Sequence, residues 1–194
     1  GTPSVEMYSV NNTTANWPSL GTPVYDGGQP EVMLGGFSGL FYDSTQSTAT
    51  DLVFYAVPDR GPNASPVAKA DVTPSVNQNL RPFKLPNYQG RMVKITLNTT
   101  NGTTTVDETL LFRQDGTTPI TGKGNIPGYD EVPVTYADAN TSWTSVDYTD
   151  GSNEEYTALP YDEFGGDFEG IVRDNNGNFW MCDEYRPAIY KFDT

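Results

Sequence analysis

The 194-residue chain contains no histidine. That absence removes Ser-His-Asp and Cys-His catalysis, histidine phosphatase chemistry and histidine-ligated zinc, each of which needs an imidazole. Cys182 is the sole cysteine, so no disulfide forms within the chain and the stapled design of small secreted domains is excluded. Apolar runs are short, and none approaches the roughly 20 residues a transmembrane helix requires. Basic residues are scarce too: 11 Lys and Arg stand against 25 Asp and Glu, for a net charge of −14. A field of that sign repels phosphate backbones and anionic head groups, which argues against nucleic acid and membrane insertion. It attracts cations, and clustered carboxylates are the ligands hard Ca²⁺ prefers. The same acidity also serves simply to keep an extracellular protein soluble.

What the chain does contain points to short strands and many turns. Gly (19), Pro (15) and an aromatic share of 12 % fit that pattern better than long helices. The chain opens Gly1-Thr2-Pro3-Ser4, without Met or signal segment, like a processed product. Sequons at Asn12, Asn63, Asn98, Asn101 and Asn140 suit an exported protein, although a chain rich in Asn and Thr generates them by chance. A secreted or periplasmic location is therefore expected.

Residues 1–31 form an N-terminal segment in which Val5–Val10 alternates and reads as an isolated strand. Four strands are then expected around 32–43, Asp51–Pro58, Arg91–Leu97 and Thr105–Phe112, with Asn101-Gly102 as a hairpin signal. Residues 59–80 lack periodicity, and 114–160 read as an elaborated polar connection. A last block runs from Gly165 to Asp174, returns through Phe179–Cys182 and ends on Ala188–Phe192.

The two strong blocks form an internal repeat. Phe37-Ser38-Gly39-Leu40 superposes on Phe168-Glu169-Gly170-Ile171, Asp43 on Asp174, and Phe54–Val57 on Phe179–Cys182. Repetition of a four-stranded unit is the mark of a β-propeller. The expected fold is thus all-β: an incomplete N-terminal part of a propeller, about two blades in 32–194, with Val5–Val10 donated to a closing blade. Such a piece is expected to pack against the remaining blades. Phe37, Leu40, Phe54, Phe168, Ile171, Trp180 and Ile189 are expected in blade cores or interfaces.

Several residues could carry chemistry. Ser38 lacks the spacing of a nucleophile elbow, and Cys182, in an apolar strand, reads as a buried filler. Asp174-Asn175-Asn176-Gly177-Asn178 fits a type I′ hairpin better than a calcium loop. The ionic residues are more informative. Asp59-Arg60 ends a strand of the first block, Asp183-Glu184-Tyr185-Arg186 ends its counterpart, and Asp167 and Glu169 flank Phe168. Repetition brings such strand ends to one mouth, where Asp59, Glu169, Asp183 and Glu184 are candidate Ca²⁺ ligands and Arg60 and Arg186 candidate anion binders. Salt bridges between blades are the other reading of the same residues.

Gly35–Leu40, Tyr55–Gly61, Gly90–Ile95, Asp167–Ile171 and Cys182–Pro187, in this order, resemble the successive signatures of the family called "esterase-like activity of phytase". The resemblance implies a propeller, an exported protein and a loosely defined hydrolase. A weaker likeness to true β-propeller phytases implies bound Ca²⁺ that holds a phosphate ester and activates water. A non-catalytic propeller presenting a binding or structural surface is the alternative.

Overall fold

The computed structural model describes residues 4–9, 17–24, 30–68, 79–138 and 141–193. Among them there is no helix. The strands are β1 (Ser19–Gly21), β2 (Val32–Met33), β3 (Phe37–Tyr42), β4 (Asp51–Pro58), β5 (Val67–Ala68), β6 (Asn79–Pro82), β7 (Arg91–Asn98), β8 (Thr104–Leu111), β9 (Val132–Tyr136), β10 (Tyr148–Thr149), β11 (Glu155–Ala158), β12 (Phe168–Arg173), β13 (Phe179–Asp183) and β14 (Ala188–Phe192). They assemble into sheets of order β3-β4-β7-β8, β12-β13-β14, β10-β11-β9-β6-β5 and β1-β2.

The first two sheets carry the repeat. Both are antiparallel throughout, and their first strands share a register irregularity: β3 slips between Phe37 and Gly39, β12 between Phe168 and Gly170. A bulge at the same place in both strands is a shared backbone device that bends the strand and re-aims a side chain. The two strands meet at glycines. A β-carbon on Gly39 would stand 3.1 Å from the Gly170 backbone and 2.8 Å from Val57 Cγ1.

Alternation explains the packing. In β4, Tyr55 and Val57 face one side and Ala56 the other, so this central strand is buried on both faces. The first side joins Met92 and Phe112 to Phe168, Ile171, Phe179 and Met181 in the core between the two repeated sheets. The second side is covered by Trp17 and Leu34, with Trp17 Nε1 donating to Leu34 O at 2.8 Å. A separate core of Leu80, Val132, Val134, Tyr136 and Tyr156 holds the third sheet, in which β6 and β9 pair in parallel.

Several expectations need correction. Residues 4–9 form no strand, and Val10 lies outside the described residues. Leu40 (65 % exposed), Trp180 and Ile189 (75 % exposed) lie outside the core, which leaves only the interface half of their expectation standing. Cys182 is exposed as well, because Phe179, Met181 and Asp183 take the inward positions of β13. At Asn176-Gly177 only the glycine has positive φ (91°), so the turn is not type I′. It is instead held by the Asp174 carboxylate, which accepts from Asn176 N, Asn178 N and Trp180 Nε1.

Candidate functional site

The repeat extends into the turns that follow β4 and β13. Asp59 N donates to Gly36 O at 3.3 Å, and Glu184 N donates to Asp167 O at 3.0 Å. Opposite the start of each first strand, Phe37 faces Pro58 and Phe168 faces Asp183. The second unit thus places carboxylates where the first has a glycine (Gly36, Asp167) and a proline (Pro58, Asp183), and keeps an acid at Asp59 and Glu184.

Arg60 ties the two turns together. Its backbone N donates to Asp167 Oδ1 at 3.1 Å, and its Nη2 pairs with Asp167 Oδ2. The same Nη2 lies 3.5 Å from Glu184 Oε2, and Nη1 lies 3.8 Å from Glu131 Oε2. The guanidinium stacks over the Tyr185 ring at 5.0 Å, and the Tyr185 hydroxyl donates to Gly122 O at 2.6 Å. Glu131 is in turn held by Arg81, whose Nη2 donates to its Oε1 at 3.0 Å. A planar, permanently charged guanidinium suits such multivalent carboxylate contacts better than an ammonium.

Carboxylate oxygens of Asp167, Glu169 and Glu184 lie within 4.8 Å of one another. Asp167 is fully buried, whereas Glu169 and Glu184 are exposed. Burial raises the Asp167 pKa, and Arg60 offsets that rise only in part because Asp59 and Glu184 add negative charge. The Glu169 pKa is raised by burial and by Glu184 and Asp59. The donor set is all hard oxygen, which fits Ca²⁺ or Mg²⁺ and not a soft metal.

The other residues singled out from the sequence lie around this cluster. Asp183 is buried; its Oδ1 accepts from Asp167 N (2.9 Å) and Tyr185 N (3.2 Å), while Oδ2 has no hydrogen-bond partner. Burial pushes its pKa up against the backbone N–H groups of Asp167, Tyr185 and Arg186 and the Arg186 charge. Asp59 Oδ1 accepts from Gly61 N at 3.0 Å, closing the turn that carries Arg60. Arg186 is directed elsewhere: its Nη2 donates to Glu163 O and to the Tyr190 hydroxyl (3.2 Å). Glu131 and Tyr185 were not singled out. Tyr185 lay inside a quoted motif with no reason to prefer it, and Glu131 sits in the segment read as a connection.

Fold and site together define an all-β protein of repeated antiparallel sheets, with an acidic cluster and one bridging arginine at the strand ends. The family described as phytase-like, esterase-like activity of phytase, matches residues 32–194, and the chain belongs to it. An uncharacterized secreted protein of Arthroderma benhamiae is 32 % identical over 157 residues, covering 72 % of this chain and 25 % of that protein. The chain thus spans about a quarter of the length of this relative. No solved structure matches it.

Proposed function

We propose that residues 32–194 are two neighbouring blades of a secreted β-propeller, and that the Asp167, Glu169 and Glu184 cluster binds Ca²⁺ to engage an anionic phosphate ester. The observation that carries the cation reading is the convergence of three carboxylates within 4.8 Å, two of them exposed, with Arg60 paired to Asp167 and Glu184. Asp59 strengthens the negative field, and Asp183 supports Asp167 through its backbone. When bound, Ca²⁺ supplies charge to hold a phosphoryl group and to acidify water. Arg60, which already reaches Glu184 and Glu131, would donate its guanidinium N–H groups to phosphate oxygens beside the ion.

The propeller reading draws support from the bulge shared by β3 and β12, from the family and from the outward faces of the stack. Val172, Trp180 and Ile189 on one side and Leu40 and Tyr42 on the other are exposed. Apolar faces of that kind suit contact with further blades, the partners proposed here. Export draws support from the secreted relative, and among the described residues no helix is long and apolar enough to cross a membrane. A second reading, a non-catalytic propeller, is favoured by Arg60 already neutralising Asp167.

Calorimetric Ca²⁺ titration of the chain and of its Glu169→Gln/Glu184→Gln variant tests the cation. Saturable binding weakened at least tenfold in the variant supports it; heats that are equal or absent overturn it. Turnover of phosphomonoesters that is lost in chelator and restored by Ca²⁺ supports the hydrolase. Binding without turnover on phosphomonoesters and carboxyl esters selects the non-catalytic reading.

A further inference from the structure

We propose that Asn101 is an N-glycosylation site and that Asn63 and Asn98 are not. The proposal rests on the export part of the reading above, in a eukaryotic secretory pathway such as that of the fungal relative. The sequons at Asn12 and Asn140 lie outside the described residues.

The structure separates three sequons that look alike in sequence. Asn63 is half-buried: Nδ2 donates to Gly61 O at 2.7 Å and Oδ1 accepts from Arg81 Nη1 at 3.1 Å. Asn98 is also half-buried, with Nδ2 donating to Asp51 Oδ1 at 2.7 Å and Oδ1 accepting from the N–H groups of Thr100 and Asn101. A sugar on Asn63 Nδ2 competes with a bond that holds a turn, and one on Asn98 Nδ2 competes with the bond across the β4–β7 pair. Asn101, by contrast, is exposed at the β7–β8 hairpin tip. Its Oδ1 accepts from Thr103 N (3.0 Å) and Thr103 Oγ1 (2.7 Å), and no described group takes a hydrogen bond from its Nδ2. The reacting atom is therefore free of hydrogen bonds among the described residues, and the hydroxyl at the third sequon position lies beside the same amide.

Transfer joins Asn101 Nδ2 to C1 of the first sugar of a lipid-pyrophosphate-linked oligosaccharide. The C1–O bond breaks, the lipid pyrophosphate leaves with the electron pair, and the amide loses one proton. The position is compatible with the rest of the molecule. Asn98 pairs with Asp51 at the start of β4, whereas Arg60 follows the end of that strand, so the glycan sits at the far end of the sheet from the acidic cluster.

The test is secretion of the full chain behind a cleavable heterologous leader from a eukaryotic host, with glycopeptide mass spectrometry on both the medium and the membrane-enclosed pool. Most chains are expected to carry a glycan at Asn101, with Asn63 and Asn98 bare. Asn101→Gln and Thr103→Ala should each remove one glycan, while Asn98→Gln should leave it. A bare Asn101, or occupancy at Asn98 or Asn63, overturns the assignment. Occupied Asn101 in a chain retained inside the cell keeps the assignment and counts against the export reading instead.

Discussion

Asp43 and Arg173, 130 positions apart, are joined by a 2.7 Å hydrogen-bonded ion pair that fastens the end of β3 to the end of β12. Asp43 is buried and also accepts from Thr45 N (2.9 Å), Thr45 Oγ1 (2.6 Å) and Gln46 Nε2 (2.9 Å). Arg173 lies over the rings of Tyr55 and Phe179 at 5.5 and 5.3 Å.

Asp43→Ala is expected to cost about 3 kcal/mol, because it leaves Arg173 and a turn without their acceptor. Burial pushes the Asp43 pKa up, but bonds from Thr45, Gln46 and Arg173 outweigh it and hold the group well below the usual range. Its stabilisation is therefore present above the unfolded pKa and lost as pH falls through the folded one. Acid titration of the melting temperature, shallower in Asp43→Asn than in wild type, checks this.

Gly39→Ala is expected to destabilise by about 1–3 kcal/mol, since the added carbon meets Val57 and the Gly170 backbone at the seam of the two sheets. Gly35→Ala, whose β-carbon would have only Met33 O at 4.0 Å, should stay within about 0.5 kcal/mol. Urea unfolding of both variants distinguishes a tight seam from a loose one.

Asp167 and Glu169 should act in the opposite sense to Asp43. Their folded pKa values are raised, so their contribution is full below the unfolded pKa and fades as pH rises through the folded values. Between about pH 4 and pH 7 the Asp167→Asn variant should lose less melting temperature than wild type. Equal slopes in thermal melts would refute this.

Arg60→Gln is expected to cost about 3 kcal/mol by leaving the buried Asp167 carboxylate unpaired. If the cluster accepts a cation, millimolar Ca²⁺ should return part of the lost melting temperature and chelator should remove it again. Recovery that is the same with sodium at equal ionic strength would count against a specific ion.

The two repeated sheets were legible because their strands alternate over five to eight residues and the same Phe-x-Gly pattern opens both. The third sheet was not. β5 and β10 are two residues long, prolines at 82 and 133 argue locally against strands, and the parallel β6–β9 pairing joins segments about 50 positions apart with no local signal. In the site, the acids and Arg60 were legible as strand-end residues. Which carboxylate meets which partner was not: Asp183 turns to the N–H of Asp167 only once β12 and β13 pair, and Glu131 arrives from the sheet that local patterns do not reveal.

Gly36 and Asp167 hold the same station on two copies of one backbone, each lending its carbonyl to the turn opposite. One side chain at that station decides whether a seam is electrically silent or charged. The skeleton can therefore be duplicated without duplicating the charge, and the copies diverge at the glycine and proline stations while their hydrogen-bonded frame stays unaltered.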